Sequence, residues 1–238
     1  MSILLSTWGR ADPFFFLLSS FFLPSATMSP SLSSSRPLST LLESLAKSPW
    51  TLTRTLRSDN PHDFNGQLRG TATFTPLPDA PENPAHQDWL YSEEGEMPSQ
   101  LSGAGAVGLR WTKKYIWRVS SDSDADRIGV WFVKVAPGPD QVDYLFHNFE
   151  TADATLPAET SDSDHVALPT PPPVAGPSDD WTVLAARGNH LCIKDMYRTA
   201  YAFRIRPDSG EVLSWASRHV VHGPKKDQDI VNQYERAS

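Results

Sequence analysis

One cysteine, Cys192, stands in a chain of 238 residues, which excludes an intramolecular disulfide framework and fits a reducing, cytoplasmic setting. Metal-ligand spacings of the CxxC and HExxH kinds are missing, as are the Walker A glycine loop and the GxSxG nucleophile turn. Neither a metal nor a cofactor is expected. No apolar stretch approaches the roughly 20 residues that a membrane-spanning helix needs. Basic charge is also short, with 21 Lys and Arg against 28 Asp and Glu and a net charge of -7. Six of those acids (Asp153, Glu159, Asp162, Asp164, Asp179, Asp180) fall between Thr151 and Asp180, a stretch with no Lys or Arg, so the remainder is nearly neutral. A phosphate backbone finds no broad positive field there, and nucleic acid is not an expected partner.

What is present points to strands. Prolines number 21 and gather in a few loops, while apolar residues alternate through most of the chain. Residues 1 to 36 stand apart. The run Phe14 to Leu23 with Arg10 before it reads as a signal core, a transit peptide with Arg36, or sequence ahead of a true start at Met28. This part is expected to be a disordered extension or targeting segment, and 37 to 238 a single domain. A short helix is expected from Leu41 to Lys47, capped by Thr40 with Glu43 as its partner and ended by Pro49.

From Trp50 the period becomes two. Expected strands run from Trp50 to Arg57, Gln67 to Thr75, Asp88 to Glu94, Leu109 to Val119, Arg127 to Val135 and Asp143 to Glu150. They resume at Trp181, Tyr201, Glu211 and Gln228. The acidic, proline-rich stretch 151 to 180 reads as a disordered loop. With short connections, aromatics on nearly every strand and no crossover helix, the expected fold is all-β. It is an antiparallel up-and-down barrel of the lipocalin or calycin kind, of about 8 to 10 strands, with a sandwich as the alternative arrangement.

Several strings together resemble an uncharacterised family, domain of unknown function 6314. They are Leu90-Tyr91-Ser92-Glu93-Glu94-Gly95, Lys113-Lys114-Tyr115-Ile116-Trp117, Phe146-His147, His190-Leu191-Cys192-Ile193-Lys194-Asp195-Met196-Tyr197, Gly223-Pro224-Lys225-Lys226-Asp227 and Tyr234-Glu235-Arg236. The resemblance covers Trp50 to Arg236 apart from the acidic loop. It implies a compact β-rich domain of fungal and bacterial proteins and carries no activity.

Chemistry must therefore come from the residues. Period two puts Glu93 beside Trp89 and Tyr91, and Lys113 beside Trp111, Tyr115 and Trp117. If those faces point inward, the two charges need partners, either each other or a polar ligand head; otherwise they face solvent. His190 and Asp195, with His147 from another strand, offer a general base held by a carboxylate, and Tyr115 or Tyr197 a proton donor. Lys225 and Arg236 offer an anion-binding rim, or a solvated turn, in a C-terminal stretch with a small basic excess. Three functions follow. One is a barrel binding a small apolar or amphipathic ligand with an acidic end. A second is a small lyase, isomerase or hydrolase in the same cavity, and a third is an interaction protein acting through the acidic loop.

Overall fold

A computed structural model describes residues 38–78, 86–98, 109–122, 125–135, 137–152, 165–176, 180–224 and 226–237. The expectation for residues 1 to 36 therefore lies outside the described residues, as does Lys225. Helix α1 (Leu38–Leu45) is followed by β1 (Trp50–Ser58), β2 (Gly66–Pro76), β3 (His86–Glu96), β4 (Arg110–Asp122), β5 (Ala125–Val133) and β6 (Val142–Asn148). Then come β7 (Glu150–Ala152), β8 (Thr182–Cys192), β9 (Asp195–Ile205), β10 (Val212–His222) and β11 (Asp227–Arg236).

All pairings are antiparallel, in the order β6-β5-β4-β3-β2-β1-β11-β10-β9-β8-β7. Only Phe149 separates β6 from β7, so the two ends of this list are one bent strand. Its first part pairs with β5, its last with β8, and the sheet becomes a nearly closed barrel. Closure is incomplete on one side. β7 pairs with Ala185 to Arg187, whereas β6 and the rest of β8 are joined by side chains instead of a backbone ladder. There the His190 ring donates a hydrogen bond to the Phe146 carbonyl. Gly188 lets the His147 ring lie against its backbone, because a Cβ there would sit 2.4 Å from that ring.

The interior is filled. Trp215 stacks on Tyr234 at 3.5 Å between ring centroids, and Phe74 meets Trp117 edge-on at 5.1 Å. Leu52, Ala72, Tyr91, Tyr201 and Phe203 complete the layer. One end of this core is sealed by α1. The helix starts at Leu38, earlier than expected, so Thr40 lies within it; Leu38, Leu41, Leu42 and Leu45 recur at helical spacing and form its buried stripe. The Trp50 indole donates to the Leu45 carbonyl at 2.8 Å, and the Val212 amide donates to the Ser44 hydroxyl at 2.8 Å, fixing the helix to the rim.

The acidic loop is not uniform. Within the stretch expected to be disordered, residues 165–176 lie against the outside of the barrel, with Val166, Pro169, Pro171 and Pro172 buried. The Pro172 carbonyl accepts from Arg204 and from the Ser214 hydroxyl, and the Thr170 carbonyl from Gln233. Proline explains the difference from the composition-based reading, since its fixed φ leaves little backbone entropy to lose on packing.

Candidate functional site

Ionisable and polar inner residues gather at the end away from α1. Register places Arg54, Glu93, Lys113, Tyr115, Asn232, Ser217, His219 and Thr199 on the inner face, above the aromatic layer. Glu93 is the hub. Arg54 donates to it at 2.5 Å, Tyr91 at 2.5 Å and Tyr234 at 3.3 Å, while the two tyrosine hydroxyls lie 2.7 Å apart. Arg54 also donates through Nε to Asn232 Oδ1 at 2.6 Å. Asn232 Nδ2 then donates to Ser217 Oγ, which bonds to His219 Nε2, and His219 Nδ1 reaches Thr199 Oγ1 at 3.0 Å. The carboxylate is thus joined to a histidine by an unbroken hydrogen-bonded chain.

Its protonation states follow from surroundings. Burial works to raise the Glu93 carboxyl, but the Arg54 and Lys113 charges and the hydrogen bonds from Tyr91 and Arg54 outweigh it, so it stays ionised below the usual range. Burial holds His219 well below its ordinary value, helped by the nearby Lys113, His147 and Arg54, and it is neutral. Burial likewise raises the Tyr91 and Tyr201 hydroxyls, which remain protonated. Lys113 stands directly across from Glu93 on β4, with its ammonium 5.0 Å from the Tyr115 ring centre. Among the described residues no carboxylate forms a direct ion pair with it.

Between these groups lies a cavity of about 20 Å³, lined by Glu93, Lys113, Tyr115, Trp117, Trp215 and His219 among others. That is room for about one water. The indole nitrogen of Trp215 is buried without a hydrogen-bond partner, which leaves a donor on a cavity-lining ring. A second ring, Trp111, rests on the opposed glycines Gly70 and Gly95, where any Cβ would strike it, with the Arg54 guanidinium 5.2 Å from its centre.

The residues singled out from sequence divide into three groups. Glu93, Lys113, Tyr115 and Trp117 meet at the cavity. The suggested pairing of Glu93 with Lys113 gives way to Arg54, which reaches the carboxylate directly.

His147 and His190 belong to the seam between β6 and β8, with Tyr197 of β9 packed on Phe146; all three are beside the cavity instead of lining it. Burial drives His147 down to about 3, with His190 adding to the shift, and its Nε2 is 3.0 Å from the Tyr201 hydroxyl. Burial also lowers His190, against the effect of its bond to Phe146. Tyr197 accepts from Lys226 at 2.7 Å. Asp195 begins β9, with a buried Oδ1 lacking a partner, and makes no bond to either histidine that would hold it as a base.

Arg236 is at the sealed end. It donates to the Val212 carbonyl and Ser48 and lies 5.2 Å from the Trp50 ring centre, so it is a structural clasp instead of an anion rim.

Sequence reasoning missed Arg54, Asn232, Ser217, His219 and Tyr234. The signal was available: Arg54 shares the inward face of β1 with Trp50 and Leu52, and His219 alternates with Ser217 and Trp215. One glycine string also needed its context. Gly103-Ala104-Gly105-Ala106-Val107-Gly108 has the GxGxxG spacing, yet it connects β3 to β4, which pair antiparallel, where a dinucleotide site needs a strand followed by a helix. That string lies outside the described residues.

The family model described as Family of unknown function (DUF6314) matches residues 47–168 and 174–236. The break at 169–173 falls on the proline run whose Pro172 carbonyl accepts from Arg204 and Ser214. No curated protein matches the chain. The match spans well over half of the sequence, and the chain belongs to the Family of unknown function (DUF6314).

Proposed function

We propose that the unsealed end of the barrel binds a small amphipathic molecule by an anionic head, in the manner of a lipocalin-like carrier. One observation carries this reading: three ionised side chains face the interior, and only Arg54 and Glu93 neutralise each other. With His219 and His147 held neutral, Lys113 leaves one positive charge unmatched beside a buried indole donor. Lys113 is half-buried and faces the cavity, where an ammonium and an indole N–H are both suited to donate to a carboxylate oxygen. Because the cavity has room for about one water, one oxygen of the head enters it, and the apolar body lies against the partly buried pair Tyr115 and Phe132. Lone Cys192 supports a cytoplasmic setting for such a carrier.

Trp117 and Trp215 line the cavity, so their fluorescence reports occupancy. Titration with a medium-chain carboxylate and with its methyl ester should show the acid binding at least about tenfold more tightly, and Lys113→Met should erase that preference. Equal affinities for acid and ester would contradict the reading.

A second reading, catalysis on the bound molecule, is favoured by His219, a neutral imidazole on the cavity wall that acts on the bound molecule by exchanging its Ser217 or Thr199 hydrogen bond for one to it. It differs from the arrangement expected from sequence, in which His147 or His190 is the base and Asp195 positions it. Mass spectrometry of a carboxylate incubated with the protein should then show a product that His219→Gln no longer makes. An unchanged carboxylate over long incubation would exclude it.

A further inference from the structure

The large apolar side chains left exposed among the described residues are Leu109, Val135, Tyr144, Leu191 and Ile193. Every one belongs to the unsealed end. Leu109 immediately precedes β4, Val135 follows β5, Tyr144 is in β6, and Leu191 and Ile193 are at the β8–β9 turn. Ring contacts tie these elements together, since Tyr144 lies 4.5 Å from Phe132 of β5 and 6.4 Å from His190 of β8. Scattered exposed apolar residues need no explanation, but a set confined to one rim does.

Two of them are projections. Val135 is 101% exposed and Ile193 is 88% exposed. Ile193 also has a φ of 59°, the left-handed region, in a two-residue turn where Asn or Gly is favoured. A β-branched residue there sacrifices both backbone comfort and hydration, and nothing in the fold gains from it. Strain of this kind, held at an exposed tip, points to a contact outside the chain. Each projection also has an exposed lysine beside it, Lys134 next to Val135 and Lys194 next to Ile193, and neither pairs with an acid among the described residues. Of the acids on these elements, Asp140 is held by Lys114, Asp195 is half-buried and Asp143 is exposed.

We infer that this rim docks on the surface of an anionic phospholipid bilayer, with Ile193 and Val135 entering the acyl boundary and Lys194 and Lys134 lying among the phosphates. The paired pattern is what an interface with an apolar layer beneath a negatively charged one selects, because each tip meets both layers in the right order. The inference goes beyond the lumen reading and does not depend on it. It requires no membrane-spanning segment, and no described helix is long and apolar enough to be one.

Vesicle flotation of the full chain tests it. The protein should float with vesicles of phosphatidylcholine and phosphatidylserine, less with phosphatidylcholine alone, and less again at high salt. The double variant Val135→Ser, Ile193→Asn should lose about tenfold in partitioning, and Lys134→Glu with Lys194→Glu should lose the preference for phosphatidylserine. Replacing Ile193 by Asn relieves the strained turn, so an unchanged or raised melting temperature identifies the loss as one of contact. Wild-type protein that stays unbound with anionic vesicles, or an apolar-tip variant that floats as well as wild type, overturns the inference. Acid against ester binding is measured without vesicles, so the two proposals fail separately.

Discussion

The two ends of this barrel are built on opposite rules. At the sealed end, four leucines of α1 pack on Trp50 and Val212, and Trp50, Ser44 and Arg236 have their polar groups satisfied by specific partners. At the unsealed end an ion pair is buried, an ammonium lacks an acid partner, the β6–β8 seam is closed by side chains, and Ile193 sits in a strained turn. The sealed end is held by apolar packing and hydrogen-bonded ties, with the Trp89 indole nitrogen left unpartnered, whereas the unsealed end collects the buried ion pair.

Replacing one side chain at each end sharpens the contrast. Glu93→Ala strands the Arg54 charge inside the barrel and should cost about 3–5 kcal/mol by urea denaturation. Adding Arg54→Met should restore most of that loss, because an apolar pair of similar size needs no counter-charge. Leu42→Ala at the sealed end should cost about 2–5 kcal/mol, with no second substitution that rescues it so simply. Rescue failing in the first case would show that the buried network is required for folding.

Acid should act first at the unsealed end. His147 is held at about 3 when folded against an ordinary 6.5, so its folded state stays neutral while the unfolded chain takes up a proton. Its share of stability is complete above pH 6.5 and declines as the pH falls towards 3. The expected loss from this residue is about 2 kcal/mol by pH 5. His219 and His190 are lowered as well and act with the same sign, whereas Glu93 contributes only below its ordinary 4.5. Denaturation midpoints of His147→Phe should therefore fall less steeply between pH 7 and 5 than those of wild type; parallel curves would show that His147 titrates normally.

The smallest effect expected runs the other way. Ile193→Gly removes the left-handed strain and should leave stability unchanged or raise it by less than about 1 kcal/mol in thermal melts.

The fold was legible because alternation is strict wherever one face of a strand is buried; Trp111 to Val119 and Trp50 to Leu56 reveal it at sight. Closure by one strand bent at Phe149 was not, since nothing in Phe146 to Glu150 distinguishes a strand that changes partners from one that ends. The site was half legible. Glu93 and Lys113 stood out as charges among aromatics, but the partner of Glu93 came from β1, 39 positions earlier in the chain, and only register brings Arg54 to it. His147 and His190 are conspicuous in their strings, whereas His219, on the cavity wall, is hidden in an apparently apolar strand. Composition misjudged residues 165–176 because it weighs prolines as loop formers and cannot see the groove that they fill.

The most direct test is a crystal structure grown with a medium-chain monocarboxylate. A carboxylate within hydrogen-bonding distance of Lys113 Nζ, its tail against Tyr115 and Phe132 and the Arg54–Glu93 pair intact, is the predicted result. Water alone beside Lys113, with the acid bound elsewhere or absent, would contradict the assignment of this end as the site.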